Sequence, residues 1–343
     1  MLTVYTLSDA AKWDKIVRSF REYDVYYLSG YVKAFQLHGD GEPLLFHYEG
    51  NGLRGINAVM KRDVAQDPHF AGILPERKYF DFATPYGYGG WLLEGDGDKA
   101  PLFAAYEDWC RKNRIVSEFV RFSLFNRGQD CYFGETVPRQ GNIVRSLDQT
   151  VEEIFSDFEH KVRKNVKRAK VSGLCFLADP EGERLGDFLS IYYRTMDRNH
   201  ADAEYYFQEN FFHQINTLAG NRAFFHVLLG DKVISTELAL LGSRNMYSYL
   251  GGTDSEYFQY RPNDFLKWHM IRWGVEHGFS AFVLGGGYGS DDGIYRYKKS
   301  FAPHGAVTFC TGQAIFDQAN YDELLAVRTD LPENRGFFPR YRA

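Results

Sequence analysis

A run near the C-terminal end, "LGGGYGSDDGIYRYKKSF" at 284–301, gathers residue types able to act on a carbonyl. Gly285, Gly286 and Gly287 close an apolar segment that reads as a buried strand. Glycines at a strand end let a ligand approach the backbone closely. Three adjacent backbone N–H groups can also polarise a carbonyl. Asp291 and Asp292 follow, as candidate proton acceptors or as turn residues whose side chains bond their own backbone. Arg296, Lys298 and Lys299 lie among aromatic rings. A lysine beside a reacting carbonyl stabilises an oxyanion or binds a phosphate. Read as a strand, "IYRYKKSF" puts Tyr295, Tyr297 and Lys299 on one face and Arg296, Lys298 and Ser300 on the other. The same stretch also fits an edge strand whose lysines discourage aggregation. Neither G-x-x-x-x-G-K-[ST] nor a well-spaced G-x-G-x-x-G occurs here, which argues against a nucleotide-hydrolysing loop.

Other candidates are scattered along the chain. Glu237 sits inside the apolar run "VISTELALL", where a carboxylate is costly unless paired or used; it is a second general-base candidate. Arg261, at the mouth of a helix over 262–277, can join the helix N-terminus in holding an anion. Tyr86 and Tyr88 in "TPYGYGG" line a groove or are ordinary strand-end aromatics. A helix over 149–172 carries Lys161, Arg163, Lys164, Lys167, Arg168 and Lys170. Its apolar positions, Phe158, Val162, Val166 and Ala169, recur at helical spacing. Its basic residues therefore form a solvent-facing strip, suited to phosphates or simply solvated. The ten histidines show no H-x-x-x-H or H-E-x-x-H spacing, so no metal is expected. No G-x-S-x-G elbow supports a hydrolase triad.

Strands and helices alternate around these residues. Helices are predicted over 8–20, 100–115, 146–173, 184–199, 205–220 and 261–278. Thr150 and Glu153 stand at capping-box spacing, and Pro262 lies in a first turn. Strands are predicted as a hairpin over 42–64 with a Gly-Asn-Gly turn, then over 78–93, 117–125, 223–253 and 279–287. Two stretches, 42–125 and 223–287, share one order: hairpin, aromatic strand ending in glycines, helix, strand. The order suggests two copies of one α/β unit with a mixed sheet.

At 343 residues, two domains are the expectation, with a junction placed near Ser146. The aromatic share of 17% suggests wide apolar packing and a ring-lined groove. The net charge of −5 argues weakly against a general nucleic-acid binder but not against a local basic patch. The spacing of Cys110, Cys131, Cys175 and Cys310 makes no zinc ribbon or redox pair; buried free thiols are expected. No basic leader with an apolar run opens the chain, and no apolar stretch is long enough to span a membrane. A cytoplasmic location is expected.

"VLGGG…DDGIYRYKKSF", preceded by "YLGGTDSEY…RPNDFLKWHMIRWGVEHGFSAF", resembles the C-terminal half of the FemABX-like transferases. "HKVRKNVKRAKVSG" and "YYRTMDRNHADAEYYF" resemble segments at the start of that half. "YYLSGYVKAFQLHGDGEPLLF" and "TPYGYGG" look like the matching N-terminal elements. The resemblance covers about residues 25 to 305 and is most specific over 247–301. It implies tandem GNAT-like domains, 1–145 on the acceptor side and 146–343 on the donor and catalytic side. It also implies transfer of an acyl group onto an amine. The best-known members move an amino acid from aminoacyl-tRNA to a peptidoglycan precursor, while relatives are acetyltransferase-like with acyl-CoA as donor. The family's aromatic-lysine pair falls on Tyr297 and Lys298, so the resemblance assigns Lys298 to the transfer step; one sequence does not separate it from Lys299. Lys33 in "GYVKAF" falls where relatives approach the precursor's phosphates. Arg163, Lys164 and Lys167 become candidates for donor phosphates.

Two features depart from the family. The long helical arm that some members use on tRNA is absent, and so is the R/Q-x-x-G-x-G/A pyrophosphate loop of acetyl-CoA enzymes. The expectation is therefore an acyltransferase acting on an amine of a cell-wall or surface-glycan precursor. Aminoacyl-tRNA or acyl-CoA serves as co-substrate, with no tightly bound cofactor. A small-molecule N-acetyltransferase and a non-catalytic binding module stand as alternatives.

Overall fold

In the computed structural model, which describes residues 1–202, 205–287, 289, 292–332 and 336–343, internal contacts divide the chain into two units. Met1–Arg139 with Phe309–Ala343 forms the first, and Gln140–Thr308 the second. The sequence reading put the division between 145 and 146 and gave every later residue to the second domain. The units differ from that: the C-terminal segment belongs with the first, because its strand is hydrogen-bonded there.

The first unit begins with β1 (Leu2–Tyr5), α1 (Ala10–Arg18), α2 (Ser29–His38), β2 (Glu42–Gly50) and β3 (Leu53–Asp63). It continues with β4 (Phe80–Ala83), β5 (Leu92–Glu94), α3 (Ala100–Lys112) and β6 (Ile115–Arg121). Strand β7 (Glu135–Ser146) leads into the second unit. There α4 (Val151–Asp157), α5 (His160–Val171), β8 (Leu174–Asp179), α6 (Leu185–Asn199), α7 (Glu209–Asn216), β9 (Arg222–Leu229) and β10 (Lys232–Leu241) follow. After them come β11 (Asn245–Thr253), α8 (Pro262–Glu276), β12 (Ala281–Gly285) and α9 (Gly293–Lys299). Strand β13 (Ala306–Ile315) and α10 (Gln318–Val327) close the chain.

Each unit repeats one topology. In the first, the strands run β1-β2-β3-β4-β6-β13, with β5 added to β3. In the second they run β8-β9-β10-β11-β12-β7. Position by position the two orders correspond. Both have two helices between the first two strands, and both have a helix joining a parallel pair: α3 between β4 and β6, α8 between β11 and β12. Both take their last, antiparallel strand from outside the run, β13 against β6 and β7 against β12. The hairpins turn tightly: Asn51 and Gly52 both have positive φ between β2 and β3, the requirement of a two-residue type I′ turn.

Core packing follows the same plan. Phe46 and Phe82 of the sheet and Tyr106 and Cys110 of α3 are buried in one cluster in the first unit. Val162, Val166 and Ala169 of α5, Ile271 of α8, and Phe225 and Ala239 of the sheet are buried in one cluster in the second. Burial of each such side chain is worth about 1.5–3 kcal/mol for the larger residues. The C-terminal segment docks through Asp81, which receives Arg62 Nε at 2.7 Å and Arg342 Nε at 2.6 Å. Burial alone would raise the Asp81 carboxyl, but Arg342 and Arg62 hold it below its ordinary range.

Several elements differ from the sequence reading. The helix expected over 149–172 is two helices, broken where Phe158 and Glu159 take extended ψ values of 150° and 146°. The capping box is present, with Glu153 N–H donating to Thr150 Oγ1 at 3.3 Å. The strand expected at 295–300 is instead helix α9. The aromatic content suggested a strand, but Asp292 caps the turn and accepts from Tyr295 N–H at 2.7 Å; helix caps of this kind override the weak β-preference of Tyr. Of the four thiols expected to be buried, Cys110 is buried, Cys175 is exposed and the other two are half-buried. Among the described residues, no helix is long and apolar enough to cross a membrane.

Candidate functional site in the second unit

Strands β11 and β12 pair only over Asn245–Tyr247 with Ala281–Val283. Beyond Tyr247, β11 runs on to Thr253 along β10, and β12 runs on to Gly285 along β7. The sheet therefore opens between them. Burial changes at the same point: Met246 and Tyr247 are buried, whereas 248–252 and 285–287 are half-buried. A bulge sharpens the departure, since Leu238 pairs with Leu250 and Ala239 with Ser248, leaving Tyr249 as the extra residue; bulges bend the strand that carries them.

Two lysines and one carboxylate meet at this opening. Lys267, from the middle of α8, places Nζ 2.5 and 2.7 Å from the two oxygens of Glu237 on β10 and 2.9 Å from Ser248 Oγ on β11. Their side chains are only 8% and 12% exposed. Lys267 Nζ also lies 5.2 Å from the centre of the Phe282 ring. Lys298, on α9, donates from Nζ to the Gly286 carbonyl at 2.6 Å. Burial, and then the charge of Lys267, lower the Lys298 amine to about 8; Glu237 and Asp292 pull the other way.

The geometry sorts the residues singled out from sequence. Lys298 is turned inward and Lys299 is exposed, so the fold separates two neighbours that the sequence could not. Glu237 stands at the opening, but both its oxygens are engaged by Lys267. Gly285 has a φ of +87°. Gly287 abuts Asp292, whose carboxylate would lie 2.5 Å from an added Cβ. Asp292 caps α9 and accepts from Gly289 N–H at 3.0 Å, the turn role weighed for it above. Asp291 lies outside the described residues. Tyr297 packs edge-to-face on Phe301 with centres 5.2 Å apart. Its hydroxyl is buried and has no hydrogen-bond partner among the described residues, and burial, with Asp264 and Glu237 adding, holds its proton well beyond the ordinary range. Arg296 is exposed.

The remaining second-unit candidates are peripheral to the opening's polar cluster. Arg261 is exposed, with a left-handed φ of +59°, at the start of α8. Asp264 fills the first turn of that helix, its carboxyl raised by burial against the opposing effects of Asn165 and Arg261. On α5, Arg163 is committed to the Ser156 carbonyl at 2.7 Å. Lys161, Lys164, Lys167, Arg168 and Lys170 are exposed, and among the described residues none is in an ion pair. In the first unit, Lys33 is exposed on α2, Tyr86 is 41% exposed, and Tyr88 packs on Tyr26 and Phe309 at 5.5 and 5.8 Å. Among the described residues no cluster of His, Cys, Asp and Glu could hold a metal ion.

Sequence reasoning missed Lys267 and Ser248. A signal existed for the first. Lys267 interrupts "DFLKWHMI" as Glu237 interrupts "VISTELALL". Two opposite charges, each stranded in an apolar run, imply a buried pair.

Residues 156–299 match the acetyltransferase (GNAT) domain family. The chain superposes on the crystal structure of FemX with a TM-score of 0.68 at 15% identity, covering 96% of this chain and 100% of that one. It is also similar to L-PGS from Bacillus licheniformis, with a TM-score of 0.56 at 12% identity over 89% and 91% of the two chains. The C-terminal domain of a putative lysylphosphatidylglycerol synthetase from Agrobacterium fabrum gives 0.54 at 13% identity over 91% and 93%. At such identities these three likenesses speak for the fold. No curated protein matches the chain by sequence. The opening between β11 and β12, with Lys298 and Lys267 at it, lies within the matched stretch.

Proposed function

We propose that this chain, whose residues 156–299 match the acetyltransferase (GNAT) domain family and whose fold is similar to that of FemX, is a FemABX-like acyltransferase that moves an aminoacyl or acyl group onto an amine of a cell-wall or surface-glycan precursor. The acceptor nitrogen attacks the acyl carbon directly, and the bond to the donor's oxygen or sulfur breaks. Such a step needs positioning, a route for the amine proton and donors for the developing oxyanion. The observation that carries the reading is Lys298, held inward on the Gly286 carbonyl at the place where β11 and β12 part. The resemblance to the FemABX-like family assigns the transfer step to this same lysine.

Two donors fit different features. An acyl-CoA would lay its extended arm between β11 and β12, where neither strand's facing edge is paired. An aminoacyl-tRNA would use the exposed basic strip of α5 for its phosphates. The acceptor role of Lys33, Tyr86 and Tyr88 in the first unit rests on the family resemblance.

Calorimetric titration with acetyl-CoA, and separately with charged and uncharged tRNA, decides between the donors. Micromolar binding of acetyl-CoA assigns an acyl-CoA enzyme. Binding of tRNA alone, strongly weakened by salt, assigns aminoacyl transfer. Binding of neither, with no transfer to an amine acceptor, defeats the proposal in favour of a non-catalytic module.

A further inference from the structure

The opening between β11 and β12 holds one buried lysine, Lys267, and one half-buried lysine, Lys298, but only one described carboxylate at ion-pair distance. A buried ammonium without a counter-charge is expensive. Lys267 has taken the counter-charge: its Nζ meets both oxygens of Glu237 and the Ser248 hydroxyl, three acceptors for its three protons. Among the described residues, Lys298 has one partner, the neutral carbonyl of Gly286. The ionisable groups acting on Lys298 are Lys267 from α8, Glu237 from β10 and Asp292 from the start of its own helix. Asp292 is occupied in capping α9.

We propose that Lys267 is a positioning residue that monopolises Glu237, so that Lys298 gives up its own proton readily and, once deprotonated, takes the proton released when the acceptor nitrogen attacks. This rests on the acyl-transfer reading above. The step balances without a further reagent. The acceptor nitrogen's lone pair forms the new bond to the acyl carbon, and the bond to the donor's oxygen or sulfur breaks. The proton leaving the nitrogen passes to Lys298 Nζ, whose ammonium then returns it to the departing oxygen or sulfur. The proton gained by Lys298 is passed on within the step, and among the described residues no second carboxylate is at ion-pair distance to retain it. Glu237, the base candidate from sequence, acts here only through Lys267.

Titration of Lys298 tests the assignment apart from activity. The full chain is labelled with 13C-lysine, the Lys298 resonance is identified by its loss in Lys298→Met, and its midpoint is read by NMR from about pH 6 to about pH 11. In Lys267→Met the repelling charge is gone and Glu237 is released to pair with Lys298, so the midpoint rises by about one pH unit or more. In Lys267→Arg it stays within about half a unit of the wild type, because the charge and the pairing persist. In Lys267→Met/Glu237→Gln both charges are gone and the midpoint again stays near the wild type, which keeps the test available should the single variant fold poorly. The acidic limb of the kcat profile moves with the midpoint.

An unchanged Lys298 midpoint in Lys267→Met, with activity reduced or not, overturns the proposal and leaves Lys267 a structural residue. A shifted midpoint in a protein that transfers no acyl group from either donor supports the role of Lys267 while defeating the acyl-transfer reading. The two failures are therefore distinguishable.

Discussion

Gly285 and Lys298 are packed so closely that a Cβ on the glycine would lie 3.0 Å from the lysine Nζ. The glycine also holds a φ of +87°, which other residues adopt only under strain. Gly285→Ala should cost about 1–3 kcal/mol of stability and displace the amine from the Gly286 carbonyl. Gly286→Ala meets nothing nearer than 3.4 Å and should leave the thermal midpoint nearly unchanged. Denaturation of the two variants side by side checks the contrast; equal losses would defeat it.

Lys298 and Lys299 make a second contrast. Lys298→Met should reduce acyl transfer by about 100-fold or more, the scale of losing a proton-transfer group. Lys299→Met, at an exposed position, should stay within about twofold. Folding should not suffer in Lys298→Met. Its amine is depressed by burial, so stability is lost as pH falls from about 10.5 through the folded value of about 8. An apolar chain lacks that penalty, and the thermal midpoint of Lys298→Met at pH 7 should equal or exceed that of the wild type.

In the first unit, Glu118 is 1% exposed and accepts from Tyr106 Oη at 2.6 Å and Tyr132 Oη at 3.2 Å. Burial raises its carboxyl to about 7, against the lowering effect of the two phenols and of Asn57. Asn57 lies outside hydrogen-bond geometry, so the phenols set the carboxyl's orientation. The sign follows from linkage. The unfolded chain ionises near 4.5 and the folded one near 7, so stability present below pH 4.5 is lost as pH rises through 7. The loss is about 3 kcal/mol at pH 8. Glu118→Gln should flatten this slope in thermal unfolding between pH 5 and 8. An unchanged slope would mean another group titrates.

For the tRNA donor, Lys164→Glu/Lys167→Glu should weaken binding uniformly across tRNA sequences. It should also reduce the slope of log affinity against log salt by about 1.5, for two phosphate contacts. Acetyl-CoA binding in the same variant should be unaffected if the arm lies between β11 and β12. A tRNA isotherm identical to the wild type would remove α5 from the donor interface.

Asp292 should behave as a cap. Asp292→Ala removes the acceptors for Tyr295 and Gly289 N–H and should cost about 1 kcal/mol. Asp292→Asn should retain most of both stability and transfer. A collapse of transfer in Asp292→Asn at unchanged stability would instead make Asp292 a proton acceptor.

Much of the fold is legible in the chain itself. Thr150 and Glu153 mark a helix start, Asn51-Gly52 a hairpin, and Pro262 the first turn of α8, because each depends on contacts within a few residues. The repeated order of hairpin, strand, helix and strand is legible for the same reason. Tertiary structure decided the rest. Strand β13 belongs with β6 through hydrogen bonds between residues nearly two hundred positions apart, which no local pattern encodes. The sequence "YRYKKS" has the composition of a strand, and a single cap at Asp292 makes it a helix that turns Lys298 inward and Lys299 out. Glu237 and Lys267 are each legible as an anomaly in an apolar run. That they cancel one another, leaving Lys298 with no carboxylate at ion-pair distance among the described residues, is a property of distances that only the packed α8, β10 and α9 set.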